Sequence, residues 1–234
     1  MQRDGRRRHD QLHEHQIRSD GRVTPPLSDP TALARKAAQA VIALPPSATR
    51  TVIALAGPPG AGKSTVGKAL QAALTQQGLP TGLLPMDGFH YDNAILDARG
   101  LRARKGAPET FDLNGFLAML ARLPHEDEIA IPTFDRTLDK AIAGSDLIRA
   151  EHKTVIVEGN YLLLDEPGWK DCRKYWALRV FLDVPMAEIE ARLVQRWLDH
   201  GLDPQAARDR AEQNDLPNAR RVVENVSEVD VVLE

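Results

Sequence analysis

The 234-residue chain has one cysteine, few aromatic residues and no long apolar run. Cys172 alone cannot form an intramolecular disulfide or a thiolate metal cage, which favours a protein of a reducing compartment. Aromatic residues make up 5% of the sequence, and no stretch approaches the ~20 apolar residues that a membrane-spanning helix needs. The composition therefore predicts a cytoplasmic protein without a membrane partner.

Neither sign of charge dominates the sequence. The 30 basic and 33 acidic side chains leave a formal net charge of -3, so no overall field attracts a polyanion. We therefore expect no nucleic-acid partner. With 42% hydrophobic and 27% charged residues, the chain has the composition of a globular protein. Its length suits one well-buried α/β domain.

Residues 1–28 lack the apolar side chains that a folded core requires. They also lack the apolar segment of a secretory signal, which disfavours export. His13 and His15 could in principle bind a metal, and Arg6-Arg7-Arg8 a phosphate polymer. A solvated tail explains the same composition without any ligand. We therefore predict a disordered tail at 1–28 and a folded domain at 29–234.

A glycine-rich loop stands between a strand-like run and a helix-like segment. The run is Thr51–Ala56, and the loop reads Gly57-Pro-Pro-Gly-Ala-Gly-Lys-Ser-Thr65, which has the G-x-x-x-x-G-K-S spacing of a phosphate-binding loop. In such a loop, backbone N–H groups and the following helix N-terminus converge on phosphate oxygens. Lys63 would neutralise the β- and γ-phosphates, and Ser64 would bind Mg²⁺. The predicted nucleotide-binding residues are Gly57, Gly60, Ala61, Gly62, Lys63, Ser64 and Thr65.

The rest of the chain alternates strand-like and helix-like segments. Apolar runs predict strands at 81–86, 154–158, 178–183 and 229–233, and a short extended segment at 128–134. Periodicity and capping residues predict helices at 30–43, 112–122, 167–175, 186–200, 204–212 and 217–226. This alternation predicts an α/β fold with a central parallel β-sheet and helices on both faces.

Two acidic residues follow predicted core strands. Ligands of open α/β sheets bind at the carboxyl ends of the strands, and Asp87 stands at such an end. A carboxylate there can accept the proton of an attacking substrate hydroxyl, although an aspartate before Gly88 is also typical of a turn. Glu158 ends another core strand. It would reach Mg²⁺ directly or through water, and a capping or loop carboxylate is the alternative.

Two further segments are candidates for holding a phosphoryl acceptor. A dense basic segment runs from Arg99 to Gly106, and Asp135 follows the extended segment at 128–134. Either could bind an anionic or polyhydroxylated acceptor, and a solvated loop is the alternative for the basic segment. The predicted acceptor-binding residues are Asp87, Tyr91, Arg99, Arg104 and Asp135.

Two arginines of the predicted helix at 186–200 are candidates for catalysis. Arg192 and Arg196 are four residues apart, so they lie on one helical face. There they would stabilise charge on the transferring phosphoryl group. We expect residues 192–215 to form a small helical lid that excludes water when it closes.

These motifs resemble those of the P-loop small-molecule kinases that include uridine kinase, phosphoribulokinase and type I pantothenate kinase. The resemblance spans about residues 48–234. It rests on Gly57–Thr65, Met86-Asp-Gly-Phe-His-Tyr91, Arg99-Gly-Leu101, Arg104-Lys-Gly106, Glu109-Thr-Phe-Asp112 and Val157-Glu-Gly-Asn-Tyr-Leu162. It implies the P-loop NTPase fold, ATP and Mg²⁺ as cofactors, and a homodimer. By the same resemblance, Asp87 is the catalytic base, Glu158 assists the metal, and Arg192 and Arg196 are lid arginines.

Two segments depart from all three of these enzymes. Asn160-Tyr161 and Asn214-Asp-Leu-Pro-Asn218 fit none of them, and the chain is shorter than the pantothenate kinases. Both segments are more similar to bacterial proteins labelled nucleoside/nucleotide kinase family or fructose transport system kinase. Such labels carry little information about the substrate.

The sequence supports one leading hypothesis and two classes of alternative. The leading one is transfer of the γ-phosphoryl group of ATP to a hydroxyl group of a small metabolite: a sugar, a sugar derivative or a pantothenate-like alcohol. A nucleoside kinase is the alternative within this class. A regulatory NTPase would use Asp97-Ala-Arg-Gly100 as a switch, but the chain has no Asn-Lys-x-Asp guanine-reading motif. A non-catalytic binding module would leave the combination of Lys63, Ser64, Asp87 and Glu158 unexplained.

Overall fold

The computed structural model describes residues 29–234, so the predicted tail at 1–28 lies outside the described residues. The strands are β1 (Thr51–Ala56), β2 (Thr81–Pro85), β3 (Ile129–Asp135), β4 (Lys140–Ile148), β5 (Thr154–Gly159), β6 (Leu178–Leu182) and β7 (Val231–Leu233). The α-helices are α1 (Pro30–Ile42), α2 (Lys63–Gln76), α3 (Asn93–Ala98), α4 (Leu113–Arg122), α5 (Met186–Asp199), α6 (Pro204–Arg210) and α7 (Leu216–Glu224). Short 3₁₀ helices occur at Met86–Phe89, Arg102–Arg104, Pro108–Thr110 and Trp169–Tyr175, and a π-helical turn, Ala211–Asp215, joins α6 to α7.

Five strands form a parallel sheet in the order β2-β5-β1-β6-β7. Strand β5 is buried along its whole length because helices cover both faces of the sheet. Side chains alternate between the faces, so that Ile53 and Leu55 pack towards α1, α2 and α5. Val52 and Ala54 pack towards α4 and Trp169–Tyr175. The predicted α/β fold with a central parallel sheet is confirmed.

Two helices begin at the capping residues that the sequence provides. The Asp29 carboxylate accepts a hydrogen bond from the Thr31 backbone N–H at 2.9 Å, and Pro30 occupies the first turn. Asp203 likewise accepts from backbone N–H groups at the start of α6. These side chains satisfy N–H groups that have no partner within the helix. None of the described helices is long and apolar enough to cross a membrane.

The extended segment predicted at 128–134 is not part of the central sheet. It forms β3, which pairs with β4 in a separate antiparallel hairpin. Strand β4 was not predicted, because most of its residues are exposed and do not show the apolar alternation of a half-buried strand. The hairpin packs against the 3₁₀ helix Met86–Phe89, directly after β2.

Three other elements differ from the predictions. The helix expected at 167–175 is a 3₁₀ helix from Trp169 to Tyr175. Helix α3 was not predicted, and only one of its six residues is buried. The helices expected at 204–212 and 217–226 are joined by the π-helical turn, which buries Asn214 and Asp215. Such turns inside helices are frequent at functional sites.

Candidate active site

The glycine-rich loop lies between β1 and α2, at the carboxyl end of the parallel sheet. Gly60 and Gly62 have φ angles of 82° and 91°, in the left-handed region that side chains with a Cβ rarely adopt. A Cβ at Gly60 would also lie 3.2 Å from the Leu193 side chain of α5. Gly62 caps α2, whose first backbone N–H groups have no partner within the helix. This geometry offers N–H donors to an anion.

Three side chains around this loop contact one another or the loop, and two of them, Lys63 and Glu158, are buried. The Lys63 ammonium donates to the Pro58 carbonyl oxygen at 2.9 Å, and burial lowers the pKa of Lys63 to about 8 although Glu158 and Asp87 oppose that shift. The Ser64 hydroxyl donates to Glu158 Oε1 at 3.0 Å. Burial, and then the neighbouring Asp87, raises the pKa of Glu158. The parallel pairing of β5 with β1 brings Glu158 to the loop.

Asp87 reaches the same site from β2, the neighbour of β5 on the other side. It lies in the 3₁₀ helix that follows β2, and its side chain is 28% exposed. The His90 imidazole Nδ1–H donates to the Asp87 carbonyl oxygen at 2.9 Å, and burial lowers the pKa of His90. A Cβ at Gly88 would overlap the Pro132 carbonyl oxygen of β3. Glycine at this position therefore lets the hairpin approach closely and fixes where Asp87 lies.

Two cavities meet at Asp87. The cavity at the phosphate-binding loop, here called the loop cavity, has a volume of about 410 Å³ and includes Lys63, Ser64 and Glu158 in its wall. A neighbouring cavity of about 320 Å³, here called the outer cavity, extends towards the basic segment and α6. The residues that line both cavities are Pro59, Asp87, Arg136, Asn160 and Arg196. A group bound in one cavity would therefore face a group bound in the other.

Helix α5 places both predicted arginines at the loop cavity. Arg192 donates to the carbonyl oxygens of Gly60 at 3.1 Å and Ala61 at 3.2 Å, and it pairs with Glu188 one turn earlier. Arg196 pairs at 3.0 Å with Asp215, which also accepts from the Trp197 indole N–H at 2.6 Å. Residues of α5 and of the π-helical turn thus hold the two guanidinium groups beside the loop.

Four of the five residues predicted to bind an acceptor lie outside the wall of the outer cavity. The Arg99 guanidinium lies over the Tyr91 ring, 4.4 Å from its centre. Arg104 pairs with Glu109 at 3.4 Å. Any contact of these three residues with an acceptor stays a prediction.

Asp135 is the fourth of these residues, and it has a structural role in the hairpin turn. Its carboxylate accepts from the backbone N–H groups of Thr137 at 2.8 Å and Leu138 at 2.9 Å. The next residue, Arg136, lines both cavities and contacts Asp87 at 3.4 Å. Asp135 was predicted at the site, but it is Arg136 that lines the cavities.

The two segments that depart from the named kinases both contact the basic segment. The Tyr161 hydroxyl donates to the Gly106 carbonyl oxygen at 2.6 Å, and burial raises the pKa of Tyr161. The Asn214 side-chain amide donates to the Lys105 carbonyl oxygen at 2.9 Å, and its oxygen accepts from Arg104 at 3.1 Å. These contacts hold the basic segment at the edge of the outer cavity.

The oxygen ligands at the loop cavity fit Mg²⁺. Within residues 29–234, no group of three or more His, Cys, Asp or Glu side chains could form a metal cage. Mg²⁺ does not need one, because proteins usually bind it through one or two carboxylates together with waters and substrate phosphates. The Ser64 hydroxyl and the Glu158 carboxylate lie 3.0 Å apart and provide such ligands.

Residues 52–232 match the model of the "Phosphoribulokinase / Uridine kinase family". The chain belongs to this family. A solved structure described as a "putative fructose transport system kinase" from Silicibacter sp. TM1040 is 47% identical, with a TM-score of 0.82, over 88% of this chain and 100% of that one. The family and its structural neighbours confirm the P-loop kinase fold.

Two relatives are similar to this chain in sequence. Escherichia coli "Uncharacterized protein YggC" is 37% identical over 188 residues, which cover 79% of this chain and 78% of that protein. The Schizosaccharomyces pombe protein named "Putative uridine kinase C227.14" is 34% identical over 195 residues, which cover 79% of this chain and 83% of that protein. The chain is an ATP-dependent small-molecule kinase whose phosphoryl acceptor is a hydroxyl group.

Proposed function

We propose that the loop cavity holds the phosphates of Mg·ATP and that the outer cavity holds a small metabolite whose hydroxyl group receives the γ-phosphoryl group. The observation that carries this proposal is the meeting of the two cavities at Asp87 and Arg136. If the phosphates of ATP follow the loop, the γ-phosphate lies at the boundary between the two cavities. An acceptor bound in the outer cavity would then lie next to it. Transfer then needs only positioning and the stabilisation of charge.

Asp87 is the base of this reaction. The acceptor hydroxyl oxygen forms a bond to the γ-phosphorus, the bond between that phosphorus and the β–γ bridging oxygen breaks, and ADP leaves. The hydroxyl proton passes to the Asp87 carboxylate, which the contact with Arg136 at 3.4 Å helps to orient. Lys63, Arg192 and Arg196 line the loop cavity and balance the negative charge of the phosphates.

Ser64 and Glu158 would hold Mg²⁺ beside the loop. When bound, the ion would neutralise charge on the phosphate oxygens.

The region 192–215 would act as a lid, because Arg192 and Arg196 lie at its first turns and Asp215 at its end. The predicted homodimer and cytoplasmic location also stay predictions.

The acceptor is a sugar, a sugar derivative or a pantothenate-like alcohol. The outer cavity, at about 320 Å³, lies at the small end of the range for small-molecule sites. The regulatory alternative has less support, because Asp97 of its switch motif pairs at 3.1 Å with Arg102 and both side chains are about half exposed. Asp97 does not line either cavity.

The test is ADP formation by the purified protein with Mg·ATP and a panel of alcohols. The panel contains fructose and other sugars, pentitols, pantothenate, uridine and cytidine, and ³¹P NMR identifies the product. We expect one class of acceptor to accelerate ADP formation and to yield a new phosphate ester in equal amount. A nucleoside as the best acceptor would favour the uridine kinase alternative. Inorganic phosphate as the sole product, at a rate that no acceptor changes, would contradict the proposal.

A further inference from the structure

The outer cavity contains more cationic than acidic side chains. Its cationic residues are Arg102, Lys105, Arg136, Arg196 and Arg210, and its acidic residues are Asp87, Asp139 and Asp215. Because we place the nucleotide phosphates in the loop cavity, they do not account for this excess of positive charge in the outer cavity. The contacts within the protein show which of these charges are already neutralised.

Each of the three acids pairs with a neighbouring cation, and Asp87 does so with Arg136 at 3.4 Å. The Lys105 ammonium donates to Asn93 Oδ1 and to the backbone carbonyl oxygen of Asp139, each at 2.7 Å, and pairs with Asp139 Oδ1 at 2.7 Å. These contacts use all three of its N–H donors. Asp215 pairs with Arg196 at 3.0 Å. Lys105, Arg136 and Arg196 therefore each have a carboxylate as counter-ion.

Arg210 keeps its charge unbalanced within the described part of the chain. None of the described carboxylates lies within ion-pair distance of it. One of its N–H groups donates to the Ala103 carbonyl oxygen at 2.9 Å, and its guanidinium lies 5.1 Å from the centre of the Trp197 ring. A guanidinium has five N–H donors, so this geometry leaves several for a ligand.

Arg102 also lines the outer cavity. It directly precedes Ala103, which accepts the hydrogen bond from Arg210. Its pair with Asp97 has a distance of 3.1 Å, with side chains that are 48% and 58% exposed. Such exposed pairs contribute little, so an incoming anion can compete with Asp97. Arg102 and Arg210 thus both line the outer cavity, and Asp87 lies at its boundary with the loop cavity.

We propose that the acceptor carries an anionic group, a carboxylate or a phosphate, which Arg210 and Arg102 bind while its hydroxyl group lies at Asp87. This inference rests on the proposed function, because it identifies the class of acceptor for the same site. Guanidinium groups bind both anions through paired, charge-assisted hydrogen bonds. A neutral sugar would leave the Arg210 guanidinium without a counter-ion among the described residues.

The test compares matched anionic and neutral probes with the loop cavity blocked by Mg·AMP-PNP. Gluconate is compared with sorbitol, and ribose 5-phosphate with ribose, so that the two pairs separate carboxylate from phosphate. Binding is followed by the indole N–H NMR signal of Trp197, which Trp197→Phe assigns. We expect one anion to bind about tenfold more tightly than its neutral partner or better.

Arg210→Gln should reduce this preference for the anion by about tenfold or more, because the variant keeps a polar, uncharged side chain and loses the guanidinium charge. Arg208→Gln is the matched control, since Arg208 is exposed on the same helix and does not line the cavity. It should keep the preference. Equal binding of anionic and neutral probes, or an unchanged preference in Arg210→Gln, would overturn the inference.

The same proteins assayed with ATP separate this inference from the proposed function. Phosphorylation of neutral acceptors in preference to anionic ones would leave the kinase activity in place and contradict the anionic acceptor. Anion binding that depends on Arg210, without phosphoryl transfer to any acceptor, would contradict the proposed function and retain the anion site.

Discussion

At the scale of single residues, the burial of Lys63 has the clearest chemical consequence. Its ammonium is enclosed at the phosphate-binding loop, with the Pro58 carbonyl oxygen as its hydrogen-bond partner. The loss of hydration disfavours the charged form and lowers the pKa to about 8. Nucleotide phosphates would bring the negative charge that favours the protonated form.

We expect this difference to make nucleotide binding depend on pH. Above pH 8 the free protein loses the Lys63 proton, given its pKa of about 8, so that binding of ADP requires a proton to be taken up. The Kd for ADP should therefore rise with pH, by up to about tenfold for each pH unit above 8. Calorimetric titration in EDTA between pH 7 and pH 10 measures this slope without metal.

Lys63→Ala is the control for that titration. It should bind ADP more weakly than the native protein at pH 7, and its Kd should be nearly constant over the same pH range. An equal slope in the variant would show that another group titrates.

The residue scale also shows what the sequence could predict. Lys63, Ser64 and Glu158 were predicted because a loop of fixed spacing and a strand end determine their positions. The position of Arg136 could not be read in the same way. It depends on a turn in which Asp135 bonds to backbone N–H groups and the next side chain is directed to the site.

At the scale of elements, the β3–β4 hairpin controls the position of Asp87. The backbone of Gly88 lies so close to the Pro132 carbonyl oxygen that any Cβ would overlap it. Arg136, at the hairpin turn, contacts Asp87 from the same side. The hairpin therefore supports the proposed base and supplies a cation to it.

Gly88→Ala should lower turnover and leave nucleotide affinity nearly unchanged. The added methyl group would displace the hairpin or the 3₁₀ helix, at a cost of about 1–3 kcal/mol in the free energy of unfolding. Displacement of Asp87 by a fraction of an ångström should lower turnover by up to ~10²-fold. Nucleotide affinity should change little, because the phosphate-binding loop is a separate element. Denaturant unfolding, steady-state kinetics and calorimetry measure the three quantities.

Gly67→Ala is the matched control, because a Cβ there would meet its neighbours at ordinary contact distances of 3.5 Å or more. Gly67 lies within α2, where alanine is the better helix former by roughly 0.5–1 kcal/mol. This variant should be at least as stable as the native protein. Equal turnover of Gly88→Ala and the native protein would show that the hairpin does not position Asp87.

The elements that were predicted and those that were missed differ in burial. The parallel strands β1 and β5 have short continuous apolar runs, because both of their faces are covered. Strand β4 and helix α3 are largely exposed, so their side chains carry no apolar period. The π-helical turn depends on contacts such as those between Asp215 and α5, which join residues far apart in the sequence.

At the scale of the whole molecule, the site lies between the carboxyl end of the parallel sheet, the hairpin and helices α5 to α7. The existence of a site at this end followed from the sheet topology alone. The outer cavity did not, because distant segments form its wall: the basic segment, the hairpin turn, α5 and α6.

Deletion of residues 1–28 should leave turnover and the KM for ATP unchanged. The predicted tail has too few apolar residues to build a core, and the proposed catalytic groups lie beyond it. Steady-state kinetics of the shortened and full-length proteins compare the two directly. A large loss of turnover in the shortened protein would show that the segment contributes to the site.

In the proposed reaction, phosphoryl transfer takes place where the two cavities meet, with Asp87 as the base. The most direct test is Asp87→Asn, measured both for turnover with the best acceptor and for nucleotide affinity. We predict a fall in turnover of about 10²–10⁴-fold, the usual contribution of a general base, with nearly unchanged affinity for ATP. Full activity in Asp87→Asn would contradict the claim.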